Sequence, residues 1–249
     1  MNKLNREKKS YGMRSANSED ALTWSIFSAL EEYDLLNKTY NYFSNVNTQD
    51  KCQIYYWGHN DKYPESELIS IYVSMLNKAG EPEYRGGYSE PDILLFNPSH
   101  GLINIEIKYR SPNDDKLKKH NDISYKKRCK RAQTMIDIGN SFVSKTNAGD
   151  WKWYELLRMW IPGCCVVEKM NLKSFMLINL LPTDMLEKEQ GCVEEDMKNC
   201  TKQDNSFRFR QVTWEDFAKE IHSWQAISDN AFWKYFKRKL PALEKITKG

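Results

Sequence analysis

Near the start of the chain, apolar residues recur at helical spacing. Stepping about 100° per residue, Leu22, Ile26, Ala29, Leu30 and Tyr33 gather on one side. Ser18 precedes Glu19 and Asp20, a hydroxyl for the free amides followed by carboxylates at the positive end of the dipole. The pattern therefore predicts a capped helix over about 18–34. Glu19 borders the apolar stripe and Asp20 points well away from it. Taken alone, Glu19 reads equally well as a dipole-complementing first-turn acid.

Gln53–Trp57 predicts a short strand. Over 65–78 both a period of two and a helical period can be traced, and the reading adopted is helix. The polar stretch 80–89 then leads into Pro91, Asp92 and the run Ile93 to Phe96. A turn at 97–101 follows, and then Leu102-Ile103-Asn104-Ile105-Glu106-Ile107-Lys108. This predicts a hairpin of two buried strands. In the second, Ile103, Ile105 and Ile107 face one way and Asn104, Glu106 and Lys108 the other.

Downstream, the pattern predicts one or two basic helices to about 139 and an amphipathic helix over 150–161 containing Trp151, Trp153, Tyr154, Leu157 and Trp160. A strand follows over Lys173–Leu181. Phe207 and Phe209, alternating with Arg208 and Arg210, give an edge strand. Thr213-x-x-Asp216 is a capping box opening a helix to about 222, and a last helix over 229–239 stops before Pro241. Strands and helices interleave throughout, so the expected class is α/β with a mixed sheet. A length of 249 residues is read as one elaborated domain, 1–249.

Composition narrows the function classes. With 40% hydrophobic and 29% charged residues, the chain is globular rather than disordered, and no repeat is visible. The polar opening MNKLNREKK has no apolar segment behind it, and no stretch reaches the roughly 18 apolar residues of a membrane helix. Neither a secreted nor a membrane protein is expected. The six cysteines form no Cys-x-x-Cys pair or zinc-like array, so they read as reduced thiols in a cytoplasmic protein. Cys164 and Cys165, beside Val166 and Val167, read as core, as do Trp24, Trp151, Trp160 and Trp214, with base stacking by one of these tryptophans as the alternative. His59, His100, His120 and His222 share no spacing that would suit a histidine metal site.

The net charge of +3 is too small to advertise nucleic-acid binding. Its distribution is more informative: residues 108–131 hold ten cations against three anions, a local excess of +7. A solvated helix face is the ordinary reading of such a run.

The chemistry concentrates where this run begins. Asp92 opens one strand, and Glu106 and Lys108 share a face near the end of the next, so antiparallel pairing would gather two carboxylates and an ammonium at one sheet edge. Such a set invites a hard divalent cation, with the lysine orienting a bound water. An Asp/Glu-x-Lys tripeptide is common, and this chain has four others: Glu7-Lys8-Lys9, Asp114-Asp115-Lys116, Asp150-Trp151-Lys152 and Asp196-Met197-Lys198. Only Glu106-Ile107-Lys108 sits on an isoleucine-rich strand, where unpaired charge would be costly, with a Pro-Asp on the strand before.

Glu90-Pro91-Asp92, a spacer of 13 residues, and Glu106-Ile107-Lys108 resemble the PD-(D/E)XK nuclease superfamily, also called restriction-endonuclease-like. The resemblance covers about 18–140, with 150–240 as a C-terminal elaboration. It implies a restriction-endonuclease-like core, a central mixed β-sheet flanked by helices, with additional C-terminal helices. It also implies that Asp92, Glu106 and the Ile107 carbonyl hold Mg²⁺ or Mn²⁺, that Lys108 positions the attacking water, and that Glu19 binds metal directly or through water. Gln133 lies where some members carry a glutamine, although a surface helix residue is the plainer reading.

The expectation is thus a Mg²⁺-dependent deoxyribonuclease acting on phosphodiester bonds. Arg110, Lys126, Lys127, Lys130 and Arg131 are the expected phosphate contacts, supplying affinity rather than sequence choice. Double-strand cutting from one site per chain would call for a homodimer. The rival expectations are a nucleic-acid-binding or assembly subunit of the same fold without turnover, and an ordinary α/β protein in which Glu106 and Lys108 form an ion pair.

Overall fold

A computed structural model describes residues 19–63, 66–80, 91–109, 113, 123–188 and 192–240. The Ser18 cap, the 81–89 part of the turn-rich stretch, Glu90 and Arg110 lie outside these residues. The described elements run α1 (Glu19–Glu32), α2 (Leu36–Ser44), β1 (Gln53–Tyr56), α3 (Glu67–Lys78), β2 (Ile93–Asn97), β3 (Gly101–Ile107), α4 (Ile123–Ile138), α5 (Tyr154–Lys169), β4 (Ser174–Leu181), α6 (Thr183–Lys188), α7 (Val193–Cys200), β5 (Phe207–Thr213), α8 (Trp214–Ser223) and α9 (Asn230–Lys239). The α/β class stands, with a five-stranded mixed sheet ordered β1-β2-β3-β4-β5. The pairs β1–β2 and β2–β3 are antiparallel, and β3–β4 and β4–β5 are parallel.

Side-chain alternation divides the interior into two cores. Ile93, Leu95, Ile103, Ile105 and Ile107 pack with Met176, Ile178 and Leu180 against α1, α2, α8 and α9. Leu94, Phe96, Leu102, Phe175 and Leu177 pack on the opposite face against α3, α4, α5 and α7. The sheet is therefore covered on both sides, which explains why β2 and β3 are buried at every position rather than alternately.

Burial explains where the sequence pattern was outrun. The aromatic helix expected over 150–161 begins at Tyr154 and continues through Pro162 to Lys169. Trp151 and Trp153 precede it, after a short 3₁₀ turn at Ala148–Asp150. The interior proline removes one helical hydrogen bond. Apolar residues buried all round the helix carry it past that break, and Gly163 lies so close to the Phe175 ring that a β-carbon would collide with it. The alternation Phe207–Arg210 does mark an edge strand, but its arginines serve the fold: Arg208 Nη2 and Arg210 Nη1 donate to the carbonyls of Ser44 and Phe43, each at 2.8 Å, at the end of α2.

Cys164 and Cys165 are core residues, and all six cysteines are free thiols. Among the described residues, no helix is long and apolar enough to cross a membrane.

Candidate active site

The hairpin register places Ile93 opposite Ile105 and Leu95 opposite Ile103. One step beyond, Asp92 precedes β2 where Glu106 approaches the end of β3. All three of Asp92, Glu106 and Lys108 share the even-numbered face, the one on which Asn104 Nδ2 donates to the Tyr72 hydroxyl of α3. Asp92 Oδ2 accepts the backbone N–H of Ile107 at 2.8 Å, so β3 itself aims this carboxylate.

The backbone after β3 is held from several directions. Lys108 N–H donates to Leu180 O at 2.8 Å, extending the parallel ladder, and Trp214 Nε1 donates to Lys108 O at 3.2 Å. Glu19 reaches this point from α1 on the other side of the sheet: its Oε2 accepts the Tyr109 N–H at 2.7 Å. Tyr109 in turn donates its hydroxyl to Lys239 O at 2.6 Å. The helical stripe that placed Glu19 beside the apolar face therefore carries it to the strand end bearing Lys108. Four elements distant in sequence, β4, α8, α1 and α9, fix the two residues that follow β3.

Within the pocket, Lys108 Nζ lies 2.8 Å from Glu106 Oε1 and 3.1 Å from Glu155 Oε2. The Glu106 and Lys108 side chains are only 5% and 6% exposed, whereas Glu155 retains 20%. Charges this deep persist only when paired. Among the described residues one ammonium faces four carboxylates, and burial makes three of them, Glu19, Asp92 and Glu106, harder to ionise. Burial pushes the Glu19 carboxyl up to about 7, opposed by Lys108 and reinforced by Asp92. Burial likewise raises Asp92 to about 6, against the pull of Lys108 and the Ile107 amide. Glu106 lies well above the ordinary carboxyl range, again chiefly through burial. For Lys108, burial acts downward but Glu106, Glu155, Asp92 and Glu19 outweigh it, and the ammonium is held above its usual value.

Does this set suit a divalent cation? Among the described residues, no three of His, Cys, Asp and Glu are drawn together tightly enough to form a ready metal cage. The donor chemistry nevertheless fits, because the acids are hard oxygen ligands and, among the described residues, four of them surround the one Lys108 ammonium. Glu106 Oε2 is buried with no hydrogen-bond partner, an orphaned acceptor of the kind that a bound cation or its water would satisfy.

Glu155 was missed by sequence reasoning. It stands in the first turn of α5, where an acid ordinarily complements the helix dipole, and 47 residues beyond Lys108. A signal was present: it is a lone acid in the run Trp153 to Leu157, otherwise apolar. Asn179 was also missed; it lies beside Glu106 in the β3–β4 register, fully buried, accepting from Asn113 Nδ2 at 3.0 Å.

Other expected residues fall outside the pocket. Gln133 ties down the loop before α5, with its Oε1 accepting Ala148 N–H at 3.0 Å and its Nε2 donating to Thr146 O at 2.9 Å. On α4, Ala132, Met135 and Ile136 are buried, while Lys126, Lys127 and Lys130 are exposed and Arg131 is half-buried. Trp24 is 42% exposed, unlike the buried Trp151, Trp160 and Trp214.

Comparison with protein-family models, curated proteins and solved structures finds no match to this chain.

Proposed function

We propose that the protein is a metal-dependent nuclease of the PD-(D/E)XK type, hydrolysing phosphodiester bonds of DNA. The observation that carries this reading is the meeting of Asp92, Glu106 and Lys108 on one face at adjacent strand ends, with Glu19 and Glu155 around the same ammonium. Structural ion pairs need one acid per base; among the described residues four acids, Glu106, Glu155, Asp92 and Glu19, surround Lys108, which is the balance of a cation site.

Asp92, Glu106 and Glu19 would hold Mg²⁺ or Mn²⁺, with the Ile107 carbonyl as a further donor. The ion would supply Lewis acidity and a water of lowered pKa. Lys108 would orient that water and offset the negative charge that grows on the phosphoryl oxygens. The exposed lysines of α4 would contact DNA phosphates, with Arg131 and Arg110 as further contacts.

The deciding experiment incubates the purified protein with supercoiled plasmid and with single-stranded oligonucleotides, in Mg²⁺, Mn²⁺ or EDTA. The expected result is metal-dependent cleavage that Glu106→Gln abolishes. Cleavage unaffected by that change, or insensitive to EDTA, would overturn the reading. A second reading, a DNA-binding subunit of the same fold, is favoured by one observation: Lys108 already occupies Glu106 Oε1. DNA retention by a wild-type protein that never cleaves would select it.

A further inference from the structure

The placement of Glu155 has no part in the motif that points to a nuclease. It comes from α5, the helix that crosses from β3 back to β4, and its carboxylate shares the Lys108 ammonium with Glu106. The lysine is thus held between a buried strand acid and a more exposed helix acid. This arrangement raises a difficulty for the proposed chemistry: a divalent cation taking Glu106 must compete with the ammonium already paired to it. An ammonium pushed off Glu106 with no other partner would be an unpaired charge in a pocket that leaves it only 6% exposed, which is strongly unfavourable.

We propose that Glu155 is the positioning residue for Lys108. When metal claims Glu106, the lysine is handed over to Glu155 and stays in the site. This rests on the nuclease reading and adds to it a residue and a sequence of events. The geometry carries the proposal in three ways. Glu155 Oε2 is already 3.1 Å from Nζ, so the handover needs a small rotation rather than a rearrangement. Its helix is fixed by the contact of Gly163 with Phe175 on β4, the strand that also accepts the Lys108 backbone N–H. And the lysine's own backbone is pinned at both its N–H and its carbonyl, so the side chain alone must move.

The proposal is tested by a double-mutant cycle read by metal binding rather than by turnover. Mn²⁺ is titrated into wild type, Glu155→Gln, Lys108→Met and the double variant, with the free ion followed by electron paramagnetic resonance and folding checked by circular dichroism. Expected are a roughly tenfold loss of Mn²⁺ affinity for Glu155→Gln in the wild-type background and less than about a twofold change when Lys108 is already Met, a coupling of about 1 kcal/mol. Glu155→Asp keeps the charge but shortens the reach, and should resemble Glu155→Gln.

Equal losses in the two backgrounds would make Glu155 a direct ligand or a source of general field, and would overturn the handover while leaving the metal site standing. No loss in either background would overturn it too. Full affinity in Glu155→Asp would show that charge and not reach matters, and would overturn the handover as well. A wild-type protein that takes up no Mn²⁺ would overturn the nuclease reading, and the handover with it.

Discussion

Asp92 and Ile107 are joined across the hairpin: the strand that carries Glu106 donates its next backbone N–H, at 2.8 Å, to the Asp92 carboxylate. One carboxylate is thereby aimed by the backbone of its neighbour, and the two acids cannot drift apart without breaking β3. Asp92→Asn keeps an oxygen for the Ile107 amide, so stability should change by less than about 1 kcal/mol, whereas Asp92→Ala leaves that buried donor unmet and should cost about 1–3 kcal/mol. Metal-dependent cleavage should fall at least about a hundredfold in both. Urea melts and plasmid nicking read the two effects separately; a stable Asp92→Asn that still nicks at the wild-type rate would rule out Asp92 as a ligand.

Glu19 and Asp20 are adjacent acids in the same first turn and share the dipole, and the Asp20 charge is also felt at Asp92. Glu19 bonds to Tyr109 N–H beside Lys108. Glu19→Gln should reduce cleavage about tenfold or more, and Asp20→Ala should leave it within about twofold. Parallel losses in both variants, tracked by helix content, would assign the effect to the helix terminus.

Binding and chemistry should separate. Lys126, Lys127 and Lys130 project from α4 to solvent, with Arg131 half-buried beside them, whereas Lys108 is buried. Replacing these four of the five α4 cations by alanine, with Arg128 kept, should weaken DNA binding and reduce the log–log salt slope by about 0.9 for each phosphate that is no longer neutralised. Lys108→Met should abolish cleavage in Mg²⁺ while DNA affinity in Ca²⁺ stays nearly unchanged. Fluorescence anisotropy across a salt series is the measurement, and an unaltered slope in the fourfold variant would remove α4 as the DNA face.

The pocket also predicts a pH dependence. Burial lifts Glu19 to about 7 and Asp92 to about 6, both above their ordinary values of 4.5 and 3.8. Between the ordinary and the raised values the folded state binds more protons than the unfolded one, so this contribution to stability declines as pH rises from about 4 to about 7. In EDTA, wild type should therefore lose stability relative to Glu19→Gln over that window, by on the order of 1–3 kcal/mol. Mg²⁺ must displace the same protons, so the thermal shift it produces should grow over the same range. A wild-type minus Glu19→Gln difference that is flat with pH would show that Glu19 is not in a protonated, crowded site.

Much of the architecture is written in local pattern. The helix of Glu19, the hairpin, the edge strand at Phe207 and the capped α8 each follow from periodicity and turn chemistry within a dozen or so residues, because hydrogen bonding within a helix or a tight hairpin is a local matter. The alternation Ile103, Ile105, Ile107 against Glu106 and Lys108 determined which side chains would share a face, and the helical stripe set Glu19 beside the apolar side of its helix. What the sequence could not determine is which distant elements meet at the end of β3. Glu155 joins Lys108 only because α5 folds back across the sheet. Trp214 and Tyr109 lock the strand end only because α8 and α9 pack over the opposite face. The helix through Pro162 likewise persists because burial outweighs its local cost. These are decisions of packing, in which apolar area removed from water selects the arrangement and the buried charges are then left to find their partners.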